Sequence, residues 1–271
     1  MIEDDERWIE PGLDDHRPPG HEEALAAYQA ALAVAPPGAE AWVSLGRRLV
    51  SFRLLNEALD SLGRAVAIAP RHARAWLLRA SVLAELGRHV EAVECCDRCL
   101  ENEPQSLSAW HGRASSLLAL ERYEEALVCA SEAIMLRPRF DHAWCCKGDC
   151  LRCLGRPADA VAAYDEALRL TPGHAAALNN RGLALQELGR LDEAIDCFDR
   201  LLAAEPEDLV AAFNRAACTE ALGDADGALA SYLRLLRRTG PRHEALAAKA
   251  RRRIEALRSA RPASRDAPRA E

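Results

Sequence analysis

Apolar and small residues recur along this chain with a helical period, and the whole pattern repeats every 34 residues. The tryptophans show the repeat most directly, because they stand at Trp42, Trp76, Trp110 and Trp144. When position 1 of the repeat is placed at Ala39, positions 4, 8, 11 and 14 form one apolar stripe of helical spacing. Positions 20, 21 and 28 form a second stripe, with Ala at position 20 throughout. Each unit of the pattern therefore predicts two helices.

Glycine and proline mark the ends of these helices. Glycine at position 15 predicts a helix end and a chain reversal, because glycine adopts the left-handed backbone conformation without strain. It stands at Gly87, Gly155, Gly189 and Gly223. Proline at position 32 ends the second helix, and it stands at Pro70, Pro104, Pro138, Pro172 and Pro206. Each unit is thus a predicted helical hairpin, whose small residues at positions 8 and 20 let the two helices approach closely.

Six such units follow one another, at 39–72, 73–106, 107–140, 141–174, 175–208 and 209–242. The Trp and Leu stripe of one hairpin must be covered by its neighbour, which predicts a stack of hairpins. The start Trp42-Val43-Ser44-Leu45-Gly46, the small residue at position 20 and the proline at position 32 resemble the tetratricopeptide repeat family. The resemblance covers residues 39–242 and implies an all-α fold, a right-handed superhelical solenoid of helix-turn-helix hairpins.

The same register extends backwards from the first unit. Residues 21–38 place Ala24, Tyr28, Ala31 and Pro36 at positions 20, 24, 27 and 32. We therefore predict a degenerate half repeat with one helix over residues 21–35. Residues 1–20 are acidic and contain several prolines, and we predict that they form a flexible leader.

A different pattern follows the last unit. Residues 243–258 place Leu246, Ala250, Ile254 and Leu257 at helical spacing among cations, which predicts a polar-faced capping helix. Residues 259–271 are rich in Pro, Arg and Ala without periodicity, which predicts a disordered tail.

The charge changes sign along the chain, although its net value is −7. Residues 1–24 carry −7, residues 25–233 carry −8 and residues 234–271 carry +8. The body is too acidic for binding to nucleic acid by counterion release. Ends of opposite sign could stack copies of the chain into an oligomer. The acidic leader could also fold onto Arg181 and Arg215 and compete with a partner.

The chain shows no 18-residue uncharged apolar run, and its acidic start, MIEDDERWIE, differs from a secretory signal. We therefore expect no membrane span and a cytoplasmic location, where the ten cysteines are reduced. Cys150-x-x-Cys153 has redox or zinc-ligand spacing, but it lies within a predicted helix, and Cys96 and Cys99 occupy core positions. We predict no metal and no cofactor, and we keep a Cys-based metal or redox protein as a less favoured alternative.

The histidines do not indicate catalysis. The eight of them are scattered over helix starts and turns, and the sequence contains no H-E-x-x-H, nucleophile elbow or phosphate loop. We therefore expect a protein without enzymatic activity.

The resemblance implies that the first helices of the units line a concave groove at positions 2, 5, 6, 9, 12 and 13. Units five and six place Asn179, Asn180, Gln186, Phe213 and Asn214 in these columns. Side-chain amides both donate to and accept from the backbone of an extended peptide. We predict a scaffold or adaptor that binds a segment of a partner protein there. A self-assembling oligomer is the alternative.

Cations at position 7, where the family usually has Leu, form a second candidate recognition row. Its members are Lys147, Arg181 and Arg215, with Arg79 and Arg113 at the same position of earlier units. Their stems could instead pack on the preceding hairpin while their heads pair with acids. We favour this second interpretation.

The cluster Arg251-Arg252-Arg253 is similar in composition to a nucleic-acid patch. It lies in the second half of the predicted capping helix, where cations suit the helix dipole. An ion pair between Arg251 and Glu255, four residues apart, also fits a helix surface. We interpret the cluster as the solvated face of the cap.

Overall fold

The computed structural model describes residues 20–34 and 38–259. Within this part of the chain the structure contains fourteen α-helices, one short 3-10 helix at Pro241–His243 and no strand. The α-helices are α1 His21–Val34, α2 Ala39–Ser51, α3 Leu55–Ile68, α4 Ala73–Glu85, α5 His89–Asn102, α6 Leu107–Ala119, α7 Tyr123–Leu136, α8 Asp141–Cys153, α9 Pro157–Leu170, α10 Ala175–Glu187, α11 Leu191–Ala204, α12 Leu209–Ala221, α13 Ala225–Arg238 and α14 Glu244–Ser259. The predicted all-α class is therefore confirmed. The acidic leader up to residue 19, Pro36 and residues 260–271 of the predicted tail lie outside the described residues.

Helices of 13 and 14 residues alternate from α2 to α13. Each 13-residue helix begins at position 1 of the 34-residue register, and each 14-residue helix begins two residues after the turn position. The chain divides into two compact units, one up to Leu154 and one from Gly155 onwards. The first unit contains α1 to α8, and the second contains α9 to α14.

The residue at position 15 has the same left-handed backbone conformation in every repeat. Gly87, Gly155, Gly189 and Gly223 have φ angles of 73°, 71°, 73° and 89°. In the first and third repeats, Arg53 and Glu121 adopt the same left-handed conformation, with φ angles of 62° and 59°. A side chain in this conformation is strained by contact between its Cβ and the backbone. The turn geometry therefore persists even where the sequence lacks glycine.

Tight contacts between the two helices of a hairpin form the core of the first unit. Gly46 of α2 lies against Leu62 of α3, and a Cβ at Gly46 would stand 2.8 Å from Leu62 Cγ. Both residues, with Leu49 and Ala58, are buried. Ala80 and Cys96 occupy the equivalent places in the next hairpin and are also buried. A small residue at position 8 thus sets how closely the helices pack.

Tryptophans of the first unit bind the proline that ends the preceding repeat. Their indole Nε1 groups donate hydrogen bonds to prolyl carbonyl oxygens, Trp76 to Pro70 at 2.8 Å, Trp110 to Pro104 at 2.9 Å and Trp144 to Pro138 at 2.9 Å. These carbonyls lie two residues beyond the end of the preceding helix, outside its intrahelical hydrogen bonds. The indole supplies a donor to each of them.

Arginines replace tryptophan in this role in the second unit, where position 4 is Leu178 or Ala212. Arg200 of α11 donates to the carbonyl of Pro172 at 2.9 Å. Arg238 of α13 donates to the carbonyl of Pro206. In the second unit the prolyl carbonyl therefore accepts its hydrogen bond from the second helix of the next repeat, whereas in the first unit it accepts from the first helix.

Single helices flank the hairpins at both ends of the described chain. In the first unit, Ala24 of α1 is fully buried, and Tyr28 donates a hydrogen bond to Asp60 of α3 at 2.8 Å. In the second unit, α14 buries Ala247, Ala250 and Ile254 against the α12–α13 hairpin. Among the described residues, no helix has both the length and the apolar composition that a membrane crossing requires.

Candidate protein-binding surface

Two neighbouring amides lie near the start of α10. Asn179 donates from Nδ2 to Asn180 Oδ1 at 2.9 Å, and both side chains are half-buried. The backbone beneath them is fixed because His174, at the N-cap, accepts from the Ala177 amide at 3.2 Å. The buried oxygen Asn179 Oδ1 accepts no hydrogen bond from the described part of the chain. A buried acceptor without a partner is costly, and this cost falls on the amide pair itself.

The next first helix, α12, contacts α10 and carries the second part of the predicted site. Asp208 caps it by accepting from the Val210 and Ala211 amides at 2.8 and 2.9 Å. Asn214 is half-buried on this helix. Val210, one turn earlier, leaves 52% of its surface exposed, which is high for a large aliphatic side chain. The helix therefore offers an amide and an aliphatic side chain.

Phe213 and Gln186 are both partly buried. The Phe213 ring packs on the ring of Tyr232 of α13, with centroids 5.5 Å apart, against the core of the last hairpin. Gln186 is half-buried in the last turn of α10. Part of the Phe213 surface is thus used in packing the last hairpin.

Three of the cations at position 7 pair with acids of the preceding second helix. Arg113 donates from Nε to Asp97 at 2.7 Å, and Arg181 donates to Asp165 at the same distance. Arg215 pairs with Asp199. The acids stand 16 residues earlier in each case.

Two of these arginines also contact a thiol within their own hairpin. Arg113 Nη1 lies 2.7 Å from Cys129 Sγ, and Arg181 Nη1 lies 3.0 Å from Cys197 Sγ. Lys147, in the first unit, places its Nζ 5.1 Å from the centre of the Trp144 ring. The charges of Arg113, Arg181 and Arg215 are thus engaged within each compact unit, so the row contributes little free charge to a partner.

A cavity of about 550 Å³ lies beside α11, and the sequence pattern did not indicate it. It is lined by Arg181, Glu193, Asp196, Cys197, Asp199, Arg200 and Ala203. Most of these residues occupy outward positions of a second helix, where charged side chains are expected to be solvated. Its acids and arginines nearly balance, and Arg200 is already bonded to a carbonyl.

Three aromatic rings meet in the first unit, where His111 and His142 occupy groove positions of the third and fourth repeats and Phe140 ends the third repeat. His111 of α6 lies edge-on to Phe140 at 5.5 Å and to His142 at 6.0 Å between centroids. Burial, together with the neighbouring His142, lowers the pKa of His111 to about 4. His111 stands 29 residues before Phe140 and 31 before His142, so periodicity alone did not bring it to the other two rings.

Nine of the ten cysteines are buried and Cys153 is exposed. Burial raises the pKa of Cys95 and of Cys218 to about 11, which keeps both thiols protonated at neutral pH. They pack as small apolar side chains.

Arginines of α14 form ion pairs that fix the helix to its surroundings. Arg253 pairs with Glu220 of α12 at 3.0 Å, and Tyr232 donates to the same carboxylate at 3.0 Å. The prediction that Arg251 pairs with Glu255 was wrong, because the partner of Arg251 is Glu244, at 2.6 Å. The long guanidinium side chain reaches two turns back toward the start of the helix, whose first turn favours an acid.

Comparison with known proteins supports these helical repeats. Three tetratricopeptide repeat models match residues 43–106 and 179–243, residues 107–140 and residues 140–207. No curated protein sequence matches the chain.

Solved structures with a similar fold include PilW, described as a widely conserved type IV pilus biogenesis factor. It has a TM-score of 0.69 and 21% identity, covering 75% of this chain and 94% of PilW. The pilF protein of Pseudomonas aeruginosa has a TM-score of 0.64 and 19% identity, covering 85% of this chain and 99% of pilF. YrrB, described as a TPR protein with an unusual peptide-binding site, has a TM-score of 0.55 and 21% identity, covering 68% and 95%. At these identities the likeness shows a shared fold.

Proposed function

We propose that this chain, which belongs to the tetratricopeptide repeat family, is a non-enzymatic adaptor that binds an extended segment of a partner protein on α10 and α12. The family in general supports protein–protein interaction. The observation that carries the proposal is the amide pair Asn179–Asn180, half-buried and uncharged on α10, beside α12, which carries the half-buried Asn214. An extended backbone presents donors and acceptors in alternation, and amides match both.

Charge at this surface favours a partner segment of low net charge. The groove side chains Asn179, Asn180, Gln186 and Asn214 are uncharged, while the adjacent Arg181 is engaged by Asp165. The exposed Val210 adds an apolar contact for one partner side chain. Amides are neither nucleophiles nor acid–base groups at neutral pH, so the surface is suited to binding rather than to catalysis.

The test is a binding measurement with extended peptides selected from a random library on the native chain. We expect the double variant Asn180→Ala, Asn214→Ala to lose at least about tenfold in affinity, because each lost hydrogen bond is worth about 1 kcal/mol. Its melting temperature should fall by less than about 4 °C, since both side chains are half-buried on helix surfaces and the bond from Asn179 to Asn180 is worth about 1 kcal/mol. Asn102→Ala is the matched control, because Asn102 is exposed in the first unit and bonds only its own helix at Arg98. Unchanged affinity in a stable double variant would refute the site.

Self-assembly is the second candidate, and the opposite charges of residues 1–24 and 234–271 favour it. Sedimentation at low and high salt tests it, because association between charged ends weakens as salt screens them. A monomer at every salt concentration would eliminate this candidate. For either function we propose the cytoplasm as the compartment.

A further inference from the structure

One edge of α8 carries three thiols that run from the core of the first unit to its surface. Cys146, Cys150 and Cys153 are spaced four and three residues apart, so they lie on one side of the helix. Cys150 is fully buried, whereas Cys153 is exposed. The Cys146 and Cys150 thiols share a hydrogen bond. The outermost thiol, at Cys153, contacts the hydroxyl of Tyr123 of α7.

Cys150 and Cys153, the outer two thiols, are the pair that can form a disulfide, because they lie in the last turn of α8. The helix ends at Cys153, and the Leu154 amide donates to the Cys150 carbonyl at 3.0 Å. Residues three apart in a helix have Cα atoms about 5 Å apart, within the range that a disulfide spans. Bringing the two Cβ atoms closer needs a change in the last helical turn alone, where few backbone hydrogen bonds are lost.

We propose that Cys153 and Cys150 form an oxidant-sensitive dithiol, in which Cys153 reacts first with a peroxide and Cys150 then closes a disulfide. The Cys153 thiolate attacks one peroxide oxygen, the O–O bond breaks, and water leaves as sulfenic acid forms. The Cys150 sulfur then attacks the Cys153 sulfur, the S–O bond breaks, and a second water leaves with the thiol proton. The two thiols lose two electrons in total, and the peroxide gains them.

The disulfide would change the packing of the third repeat. In the reduced chain Cys150 packs in a buried cluster with Ala114, Leu117 and Cys129. Turning its sulfur toward Cys153 withdraws a core side chain and leaves a void, which lowers stability. Oxidation thus acts on the core of the first unit and is independent of the amide surface on α10 and α12.

Trypsin makes the test unambiguous, because Arg152 separates the two cysteines. Cleavage leaves Cys150 on residues 148–152 and Cys153 on a peptide that begins at residue 153, while Cys145 and Cys146 lie on residues 140–147. The native chain is treated with hydrogen peroxide, alkylated after denaturation, digested and analysed by mass spectrometry. We expect the first two peptides to be joined, with the mass of two hydrogens lost, and the 140–147 peptide to be alkylated.

Variants distinguish the two steps. In Cys150→Ala, we expect Cys153 to stop at the sulfenic acid, which a dimedone label captures. Cys146→Ala is the matched control and should keep the joined peptides. The proposal is overturned if native Cys153 stays reduced, if it proceeds to sulfinic acid while Cys150 remains alkylated, or if it pairs only with Cys153 of a second copy.

Discussion

Gly182 of α10 lies directly against the ring of Phe198 of α11, so that a Cβ at position 182 would stand 2.7 Å from two ring carbons. The same two repeat positions hold Gly46 and Leu62 in the first hairpin. In the second and third hairpins these positions hold Ala80 with Cys96 and Ala114 with Ala130, all buried. The size of one residue thus complements the size of the other. The second unit also contains an exception to this relation, because Ala216, which is larger than glycine, stands opposite the large Tyr232.

This contact predicts that Gly182→Ala destabilises the chain by about 1–3 kcal/mol, as expected for overpacking of a filled core. Phe198→Leu in the same chain should recover part of the loss, because the smaller side chain can move away. Urea denaturation followed by circular dichroism measures both. Gly63→Ala is the control, because a Cβ at this helix position meets no atom within 4 Å. It should stabilise the chain by about 0.5–1 kcal/mol, and a neutral or stabilising Gly182→Ala would contradict the prediction.

The left-handed turn at Glu121 predicts a stabilising substitution. Glu121 has a φ of 59°, and glycine relieves the contact between its Cβ and the backbone. We expect Glu121→Gly to raise the free energy of unfolding by about 0.5–1 kcal/mol after the entropy of glycine is counted. Glu103→Gly is the control, since its φ of −131° is unstrained. Chemical denaturation of the two variants should give changes of opposite sign.

The buried imidazole of His111 predicts a loss of stability in mild acid. Its pKa is lowered to about 4, while an unfolded histidine titrates near 6.5. The unfolded chain therefore binds the proton first, so the contribution is complete above pH 6.5 and is lost as the pH falls toward 4. Between pH 7.5 and 5 the loss should reach about 2 kcal/mol.

Denaturation midpoints at several pH values test this, with His111→Phe expected to flatten the dependence and exposed His243→Gln to preserve it. The carboxylates of Glu91 and Glu125, whose pKa values are lowered by Arg88 and Arg122, lose their ion pairs below this window. An equal slope in the native chain and His111→Phe would assign the dependence to other groups.

The ion pair of Arg181 predicts a structural effect without an effect on binding. Arg181→Met removes the contacts with Asp165 and Cys197, and we expect a loss of about 1–2 kcal/mol in stability. Affinity for a selected peptide should change less than about twofold, a free-energy difference near 0.4 kcal/mol. Arg169→Met is the control, because its pair with Glu166 is a surface pair between residues of one helix. It should cost less than about 0.5 kcal/mol. A stable Arg181→Met with lost affinity would make position 7 a recognition row.

The fold could be predicted from periodicity because packing requires small and apolar residues at the same positions of every repeat. Each first helix starts at position 1 of the register, and the turn glycines have the expected positive φ. The same reasoning could not place Arg53 and Glu121 in a left-handed conformation, since nothing in an isolated Arg or Glu indicates it. There the neighbouring helices impose the turn, and the side chain accepts the strain.

Long-range polar contacts were harder to predict than packing. The link between Arg200 and Pro172 replaces a tryptophan that the register lacks, and it depends on the reach of a long side chain from another helix. For the same reason Arg251 pairs with Glu244 instead of Glu255. The amide surface is a prediction from the repeat columns, whereas the bond from Asn179 to Asn180 and the unsatisfied oxygen depend on rotamers that a sequence does not specify.

Because arginine replaces tryptophan at the prolyl carbonyls of the second unit, the two units differ in their optical signals. All four tryptophans that the structure describes lie between residues 42 and 144, in the first compact unit. Indole fluorescence excited at long wavelength therefore follows that unit, while α9 to α14 contribute helical dichroism without an indole signal from described residues. The short-range contacts between repeats allow the two compact units to unfold at different temperatures. Indole fluorescence and helical dichroism will then change at different temperatures, and no added label is needed to see this.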